Sequence, residues 1–397
     1  MISPLTGSTV LVTGATGFIG GRLAERLLVE HGARVRAVVR NFGRAARLAR
    51  YPIELVPGDL RDAESIDRAA AGCRYVFHCA YGSDGEDDAR RIVNAQGTRH
   101  VLDAALKHRA ARVVHTSTVT VYGETPDGPL DERAPRRRTG FAYADSKIEA
   151  EEAALSYVGR GLSVAVVQPT VVYGPFGNTF TTKPLQMLKT GRVILVNGGS
   201  GLANLVYVDD VVSAMIAAAV HEAAHGERFL VSGPEPTTWK AFYAAYEALL
   251  GRAATVSMTP EEARRFYDSA GEPRRSLAAQ LLAALRHPAV KRRIASTREG
   301  QLAIRAYHRI PASLRARISG PGVALPGAAA SVGGDGDARP IHPLHPSKIA
   351  FMASRTHVRI DKAQRLLGFT PQFDFARGMH FTGAWAEWAN LITGASL

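Results

Sequence analysis

The amino-acid sequence predicts a doubly wound α/β fold, a parallel sheet with helices on both faces, followed by a smaller and mostly helical lobe. Two observations carry this expectation. Strand-like and helix-like segments alternate from the N-terminus to about residue 170, the pattern that builds parallel sheets from strand–helix–strand units. Three glycines, Gly14, Gly17 and Gly20, stand between the first strand-like run and the first helical one, where such a sheet needs a tight turn.

The elements follow in order. "STVLV" (8–12) is apolar and β-branched, and Arg22 to Val29 then places Leu23, Leu27 and Leu28 at helical spacing. "RVRAVV" (34–39), "IELV" (53–56), "RYVFHC" (74–79), "ARVVHTS" (111–117) and "LSVAVVQ" (162–168) read as further strands, with helical spacing over 88–108 and 141–160. After Pro169 loops with Gly and Pro alternate with short helices, which suits a lobe that covers a substrate. "NLVYVDDVVSAMIAAAV" (204–220) reads as a return to the main sheet and a packed helix. Residues 1–176, with 204–235 returning to them, are expected to form one domain, and 177–203 with 236–397 a second. Residues 319–340, rich in Gly, Ala and Pro, read as a mobile loop, and "DKAQRLLGFTPQF" ends a helix at Gly368.

Composition removes several classes of function. Hydrophobic residues make up 46% of the 397, ample for a packed core. The longest apolar runs, such as "AMIAAAV" (214–220), are far too short to span a bilayer, and the first residues lack a signal-peptide pattern, so the expected location is cytoplasmic. Cys73 and Cys79 have no metal-like partners, and neither a metal nor a disulfide is expected. The formal net charge is +13, and between Glu261 and Ile318 thirteen Lys or Arg face five Asp or Glu. That segment, 261–318, mixes Leu, Ile and Ala with Arg at helical spacing. It reads either as a helical insertion with a solvated basic face or as a surface drawn to an anionic membrane or to a phosphorylated or lipid-linked substrate. Nucleic acid is not an expected partner, because no recognised module or aromatic interleaving accompanies the charge.

The glycines permit φ > 0 and let backbone N–H groups approach a pyrophosphate at a helix N-terminus. Tyr143 and Lys147, in "FAYADSKIEAEEA", are four residues apart and share a helical face. A phenol titrates near 10, and a neighbouring ammonium favours the phenolate. The hydroxyl-rich strand end "HTSTVTVYG" precedes that helix. At the end of the second strand Val39 stands where an acid would hold a ribose 2′-OH. Arg40 follows it, with Arg44 and Arg47 within reach, and guanidinium groups suit a 2′-phosphate. NADP(H) is therefore the expected cofactor, with NAD(H) as the alternative.

Taken together these residues resemble the extended short-chain dehydrogenase/reductase superfamily, the NAD(P)-dependent epimerase/dehydratase group with its Rossmann-type domain. The matching stretches are TGATGFIG (13–20), GDL (58–60), VFHCA (76–80), NAQGT (94–98), HTSTVTVYG (115–123), YADSK (143–147), QPTVVYGP (168–175) and VYVDDV (206–211). The stretch after the second strand is similar to the dihydroflavonol-reductase-like branch, which uses NADP. The resemblance implies Tyr143 as general acid/base and Lys147 as the group that lowers its pKa and holds the nicotinamide ribose. It implies Thr118, with Ser117 as the lesser candidate, as the hydroxyl that meets the substrate oxygen. Gly14, Thr16, Gly17, Phe18, Ile19 and Gly20 would surround the cofactor pyrophosphate. Asp59 and Leu60 would contact the adenine, Ala80 and Tyr81 would line the phosphate–ribose path, and Asn94 would support a proton relay. Gln168, Pro169 and Val171 would lie toward the nicotinamide.

Three departures narrow the activity. Gln168 replaces the usual Arg before Pro. Val119 and Thr120 replace the Asp-Glu pair of sugar dehydratases, which argues against dehydration. Asn204 and Leu205 replace an Arg-Asp pair that holds nucleotides in many nucleotide-sugar enzymes. The expected function is hydride transfer at a secondary alcohol or ketone carbon, first of a nucleotide- or lipid-linked sugar, by an epimerase or ketoreductase. The alternatives are an NADPH-dependent reductase of a hydrophobic ketone and a non-catalytic NADP-binding regulatory protein. A homodimer is compatible with each.

Overall fold

The computed structural model describes residues 3–82, 87–270 and 339–392. The expectations for the basic segment beyond residue 270 and for the stretch to residue 338 lie outside the described residues. Strands β1 (Thr9–Thr13), β2 (Arg34–Val39), β3 (Glu54–Pro57), β4 (Tyr75–His78) and β5 (Arg112–Thr116) are followed by β6 (Gly128–Leu130) and β7 (Val164–Pro169). Then come β8 (Val171–Tyr173), β9 (Arg192–Val196), β10 (Leu205–Tyr207), β11 (Arg228–Val231), β12 (Thr255–Met258), β13 (Ile341–His342) and β14 (Thr356–Val358). The helices that matter for the site are α1 (Phe18–Val29), α2 (Ala63–Ala70), α3 (Asp87–Lys107), α4 (Ala142–Ser156), α5 (Lys183–Thr190), α6 (Val208–Val220), α7 (Trp239–Leu250) and α8 (Pro260–Ala270).

A seven-stranded sheet runs in the order β11-β7-β5-β4-β1-β2-β3, with every pairing parallel. The expected fold class is observed. Strands β4, β5 and β7 are buried along their whole length, as strands covered on both faces must be. Leu23, Leu27, Val211 and Met215 pack on one face beneath α1 and α6, while Val101, Leu102, Ala105 and Ala154 pack on the other beneath α3 and α4. The chain turns to opposite sides of the sheet after β1 and after β4, so the switch point lies between their carboxyl ends, where ligands of such sheets bind.

The return to the main sheet differs from the expectation. β10 pairs with β8 in a separate two-stranded sheet, and β11 is the strand that joins the main one. The reason is local: β7 continues through Thr170 into β8, which leaves the main sheet and offers β10 an edge. The second core is aromatic, with Trp239, Phe242 and Tyr246 packed against Tyr173 and Tyr207. The C-terminal segment is tied back by side chains. Asn204 donates to Thr356 O at 2.8 Å and accepts from Val358 N at 3.0 Å. The buried Asp210 carboxylate accepts from the backbone of Gln372 and Phe373. Among the described residues no helix is long and apolar enough to cross a membrane.

Candidate active site

The glycine turn sits at the switch point. Gly14 has φ 72°, and a Cβ there would lie 2.6 Å from the backbone nitrogen of Ala80. A Cβ at Gly20 would lie 2.4 Å from Gly14 O. Only glycine lets β1, α1 and the end of β4 close together. Helix α1 starts without a side-chain cap at Gly17 and without an acidic residue in its first turn. Its first amides and the positive end of its dipole are therefore open to an anion. These features fit the pyrophosphate of a dinucleotide. Thr16 and Gly17 stand at the lip of the turn, whereas Phe18 and Ile19 turn their side chains into the hydrophobic cores.

At the end of β2 Val39 is buried and Arg40 exposed, with no acid closing the strand. Asp59 is held by Arg61 at 2.6 and 3.1 Å, and this pairing, with Arg40 nearby, keeps the carboxyl below its ordinary range. Leu60 packs at the point where a Cβ on Gly97 would meet it at 2.7 Å. Arg47 departs from the expectation. It makes two hydrogen bonds to the buried Glu25, at 2.6 and 2.7 Å, and its guanidinium lies 3.9 Å from the centre of the Phe176 ring. A buried carboxylate binds a nearby guanidinium more firmly than solvent does, so Arg47 joins α1 to the lobe.

The structure brings Thr118, Tyr143, Lys147 and Tyr81 together. Thr118 is buried and caps the short turn Val119–Tyr122 by accepting from Thr120 N at 3.3 Å. Its hydroxyl lies close enough to the Tyr143 phenol to act on its titration. Tyr81 sets its ring edge-on to Tyr143, with centroids 5.1 Å apart. Burial pushes the phenol up to about 12, with Thr118 acting in the opposite sense and Tyr81 adding to the rise. Lys147 donates to Thr116 O at 2.9 Å and lies 5.4 Å from the Tyr81 ring centre. Burial brings its ammonium down to about 8, and Cys79 and Glu151 act in the opposite sense. The groups acting on the phenol are thus burial, Thr118 and Tyr81, while Lys147 is engaged by the Thr116 carbonyl. Beyond this cluster stands Phe141, 57% exposed, with its ring 6.2 Å from that of Tyr143.

Glu151 escaped the sequence reading. It continues the Tyr143–Lys147 face by one more turn of α4 and is fully buried. Gln168 Nε2 donates to it at 2.8 Å, and Tyr122 donates to Gln168 Oε1 at 2.8 Å. Burial raises the Glu151 carboxyl, against the opposing pull of Ser117, Gln168 and Arg136. The i, i+4 spacing was present in the sequence, but an acid on an amphipathic helix reads as solvated. Gln168 therefore has both ends of its side chain occupied and offers a ligand little beyond its backbone, and Pro169 and Val171 are buried in their strands. Asn94 is buried in α3, with its Oδ1 accepting from Gly82 N at 2.7 Å. Ala80 lies half-buried against the glycine turn.

Such a sheet, with a glycine turn at its switch point, is the framework of NAD-binding oxidoreductases and epimerases, and this chain is an enzyme of that class. It belongs to the NAD dependent epimerase/dehydratase family, whose model it matches over residues 10–232. It is 30% identical over 284 residues to a 4-hydroxy-2-methyl-3-oxo-4-farnesyl-3,4-dihydroquinoline-1-oxide ketoreductase of Stigmatella aurantiaca, covering 70% of this chain and 84% of the relative. It is also 30% identical to an N-acetyl-alpha-D-glucosaminyl-diphospho-ditrans,octacis-undecaprenol 4-epimerase of Escherichia coli O157:H7, covering 51% of this chain and 60% of that protein. A solved UDP-glucuronic acid 4-epimerase from Bacillus cereus, in complex with UDP-glucuronic acid and NAD, shares the fold. Its TM-score is 0.65 at 17% identity, covering 96% of this chain and 99% of that one.

Proposed function

We propose that this enzyme is a net NADPH-dependent reductase of a hydrophobic ketone, or dehydrogenase of the corresponding secondary alcohol. The observation that carries this reading is the aromatic mouth of the site, where Tyr81 and the exposed Phe141 flank Tyr143. An exposed phenylalanine beside a polar reaction centre costs solvation unless an apolar ligand covers it. The side chain of Asn204, which stands where many nucleotide-sugar enzymes hold the nucleotide, is spent on the β14 backbone. Similarity to the Stigmatella aurantiaca ketoreductase supports the same substrate class.

A bound nicotinamide supplies the hydride chemistry. Gly14, Gly17 and the start of α1 would hold the pyrophosphate, with Ala80 and Tyr81 along the ribose path and Asp59 and Leu60 near the adenine. Tyr143, protonated at neutral pH, donates its proton to the carbonyl oxygen as the carbonyl carbon is reduced. Thr118 would orient that oxygen, and Lys147 would hold the nicotinamide ribose. The direct test follows cofactor stoichiometry with apolar aryl or alkyl ketones. One NADPH should be consumed per alcohol formed, and cofactor returned unchanged while a sugar hydroxyl inverts would overturn the reading. That second outcome belongs to an epimerase of a lipid-linked sugar, which the similarity to the Escherichia coli epimerase favours.

The preference for NADP(H) is proposed to rest on Arg40. Arg40→Ala should weaken NADP(H) about tenfold or more, the scale of a lost charge-assisted hydrogen bond, and leave NAD(H) nearly unchanged. Fluorescence titration of the two cofactors measures this, and equal losses for both would refute it.

A further inference from the structure

His78 and His115 are direct cross-strand neighbours, with ring centres 5.2 Å apart, and their surroundings differ sharply. Nδ1 of His78 lies 2.7 Å from Thr13 Oγ1, and its Nε2 lies 3.0 Å from Thr98 Oγ1. The Thr98 hydroxyl donates to Asn94 O at 2.7 Å, so it accepts from His78 Nε2–H, and Nδ1 accepts in turn from Thr13. Both nitrogens are satisfied, and burial brings this imidazole down to about 3.

His115 is 2% exposed, yet among the described residues neither of its ring nitrogens has a hydrogen-bond partner. The buried Asn94 side-chain nitrogen is also without a partner among the described residues. The bond from His78 to Thr98 of α3 shows that this pair faces the α3–α4 side of the sheet, and Lys147 of α4 acts electrostatically on both rings. A neutral imidazole has one donor and one acceptor, an ammonium three donors, and the Thr116 carbonyl takes one of those from Lys147. Buried polar groups that the protein leaves unpaired are met by ordered water.

We propose that His115, next in the chain to the Thr116 carbonyl that holds Lys147, is a positioning residue that holds an internal water against the Lys147 ammonium. The inference rests on the reading of Lys147 as the residue that grips the cofactor ribose and supports Tyr143. Lys147 is faced by His78 and Cys79 from the end of β4, by His115 from β5, by the Tyr81 ring and by Glu151 from its own helix. Glu151 supplies the one carboxylate of that set, and burial raises its pKa. The water therefore contributes hydration that a buried ammonium otherwise lacks.

Two measurements test this, and neither needs a substrate. A high-resolution crystal structure of the wild-type protein should show a water within hydrogen-bond distance of both a His115 nitrogen and Lys147 Nζ. His115→Phe, which keeps the ring and removes both nitrogens, should lack it. NADPH binding, followed by fluorescence against pH, should lose affinity at the alkaline end as Lys147 deprotonates. His115→Phe should move that limb about half a unit or more toward lower pH, and His115→Asn should restore most of the shift. An empty or apolar pocket in the wild type, or an unmoved limb in a folded His115→Phe protein, overturns the proposal. Failure of ketone reduction alone would strike the functional reading and leave these two results standing.

Discussion

Tyr143→Phe should lower kcat by about two to four orders of magnitude, the usual contribution of a positioned general acid, while NADPH affinity stays close to wild type. The substitution keeps the ring, and with it the edge-on contact to Tyr81. It removes the oxygen that would donate the proton. Burial holds that phenol up to about 12, so the acid is in its protonated form across the physiological range, as ketone reduction requires. Steady-state kinetics paired with a binding titration separates the two effects. Turnover at the wild-type rate would remove Tyr143 from the proton-donating role, and a parallel loss of NADPH affinity would mean that it holds the cofactor instead.

Lys147→Met should abolish turnover and weaken NADPH binding, yet make the folded protein more stable at neutral pH. Burial lowers the Lys147 ammonium to about 8 from an ordinary value of 10.5. Below pH 8 both folded and unfolded chains carry the proton, and folding bears the full cost of burying the charge, roughly 3 kcal/mol at 1.36 kcal/mol per unit. Between pH 8 and 10.5 the unfolded chain binds more protons than the folded one, so the stability of the wild type should rise through that window. Met fills similar volume without charge, so the variant should lack the rise and exceed the wild type below pH 8. Urea denaturation at pH 7 and 9.5 for both proteins measures this. A variant less stable than wild type at pH 7 would show that the hydrogen bond to Thr116 O outweighs the desolvation. A gain in stability with a loss of function is the signature of a site that tolerates strain for chemistry.

The alternating apolar runs and the glycine spacing determined the sheet, the switch point and the Tyr143–Lys147 face by themselves, because strand and helix periodicity and the steric demands of glycine are properties of short stretches. The absence of an acid after Val39 was legible for the same reason. Contacts between residues distant in the chain were decided only by the tertiary structure. Arg47 reads as a phosphate ligand until Glu25 and Phe176 are placed beside it. Gln168 reads as a cofactor contact until Tyr122 and Glu151 close on it. β10 leaves the main sheet because β8 offers it an edge. His78 and His115 are indistinguishable as strand residues, yet one finds Thr13 and Thr98 and the other finds no partner among the described residues. Partner choice among buried polar groups depends on distances of a few ångströms across elements far apart in sequence, and desolvation makes each such choice energetically decisive.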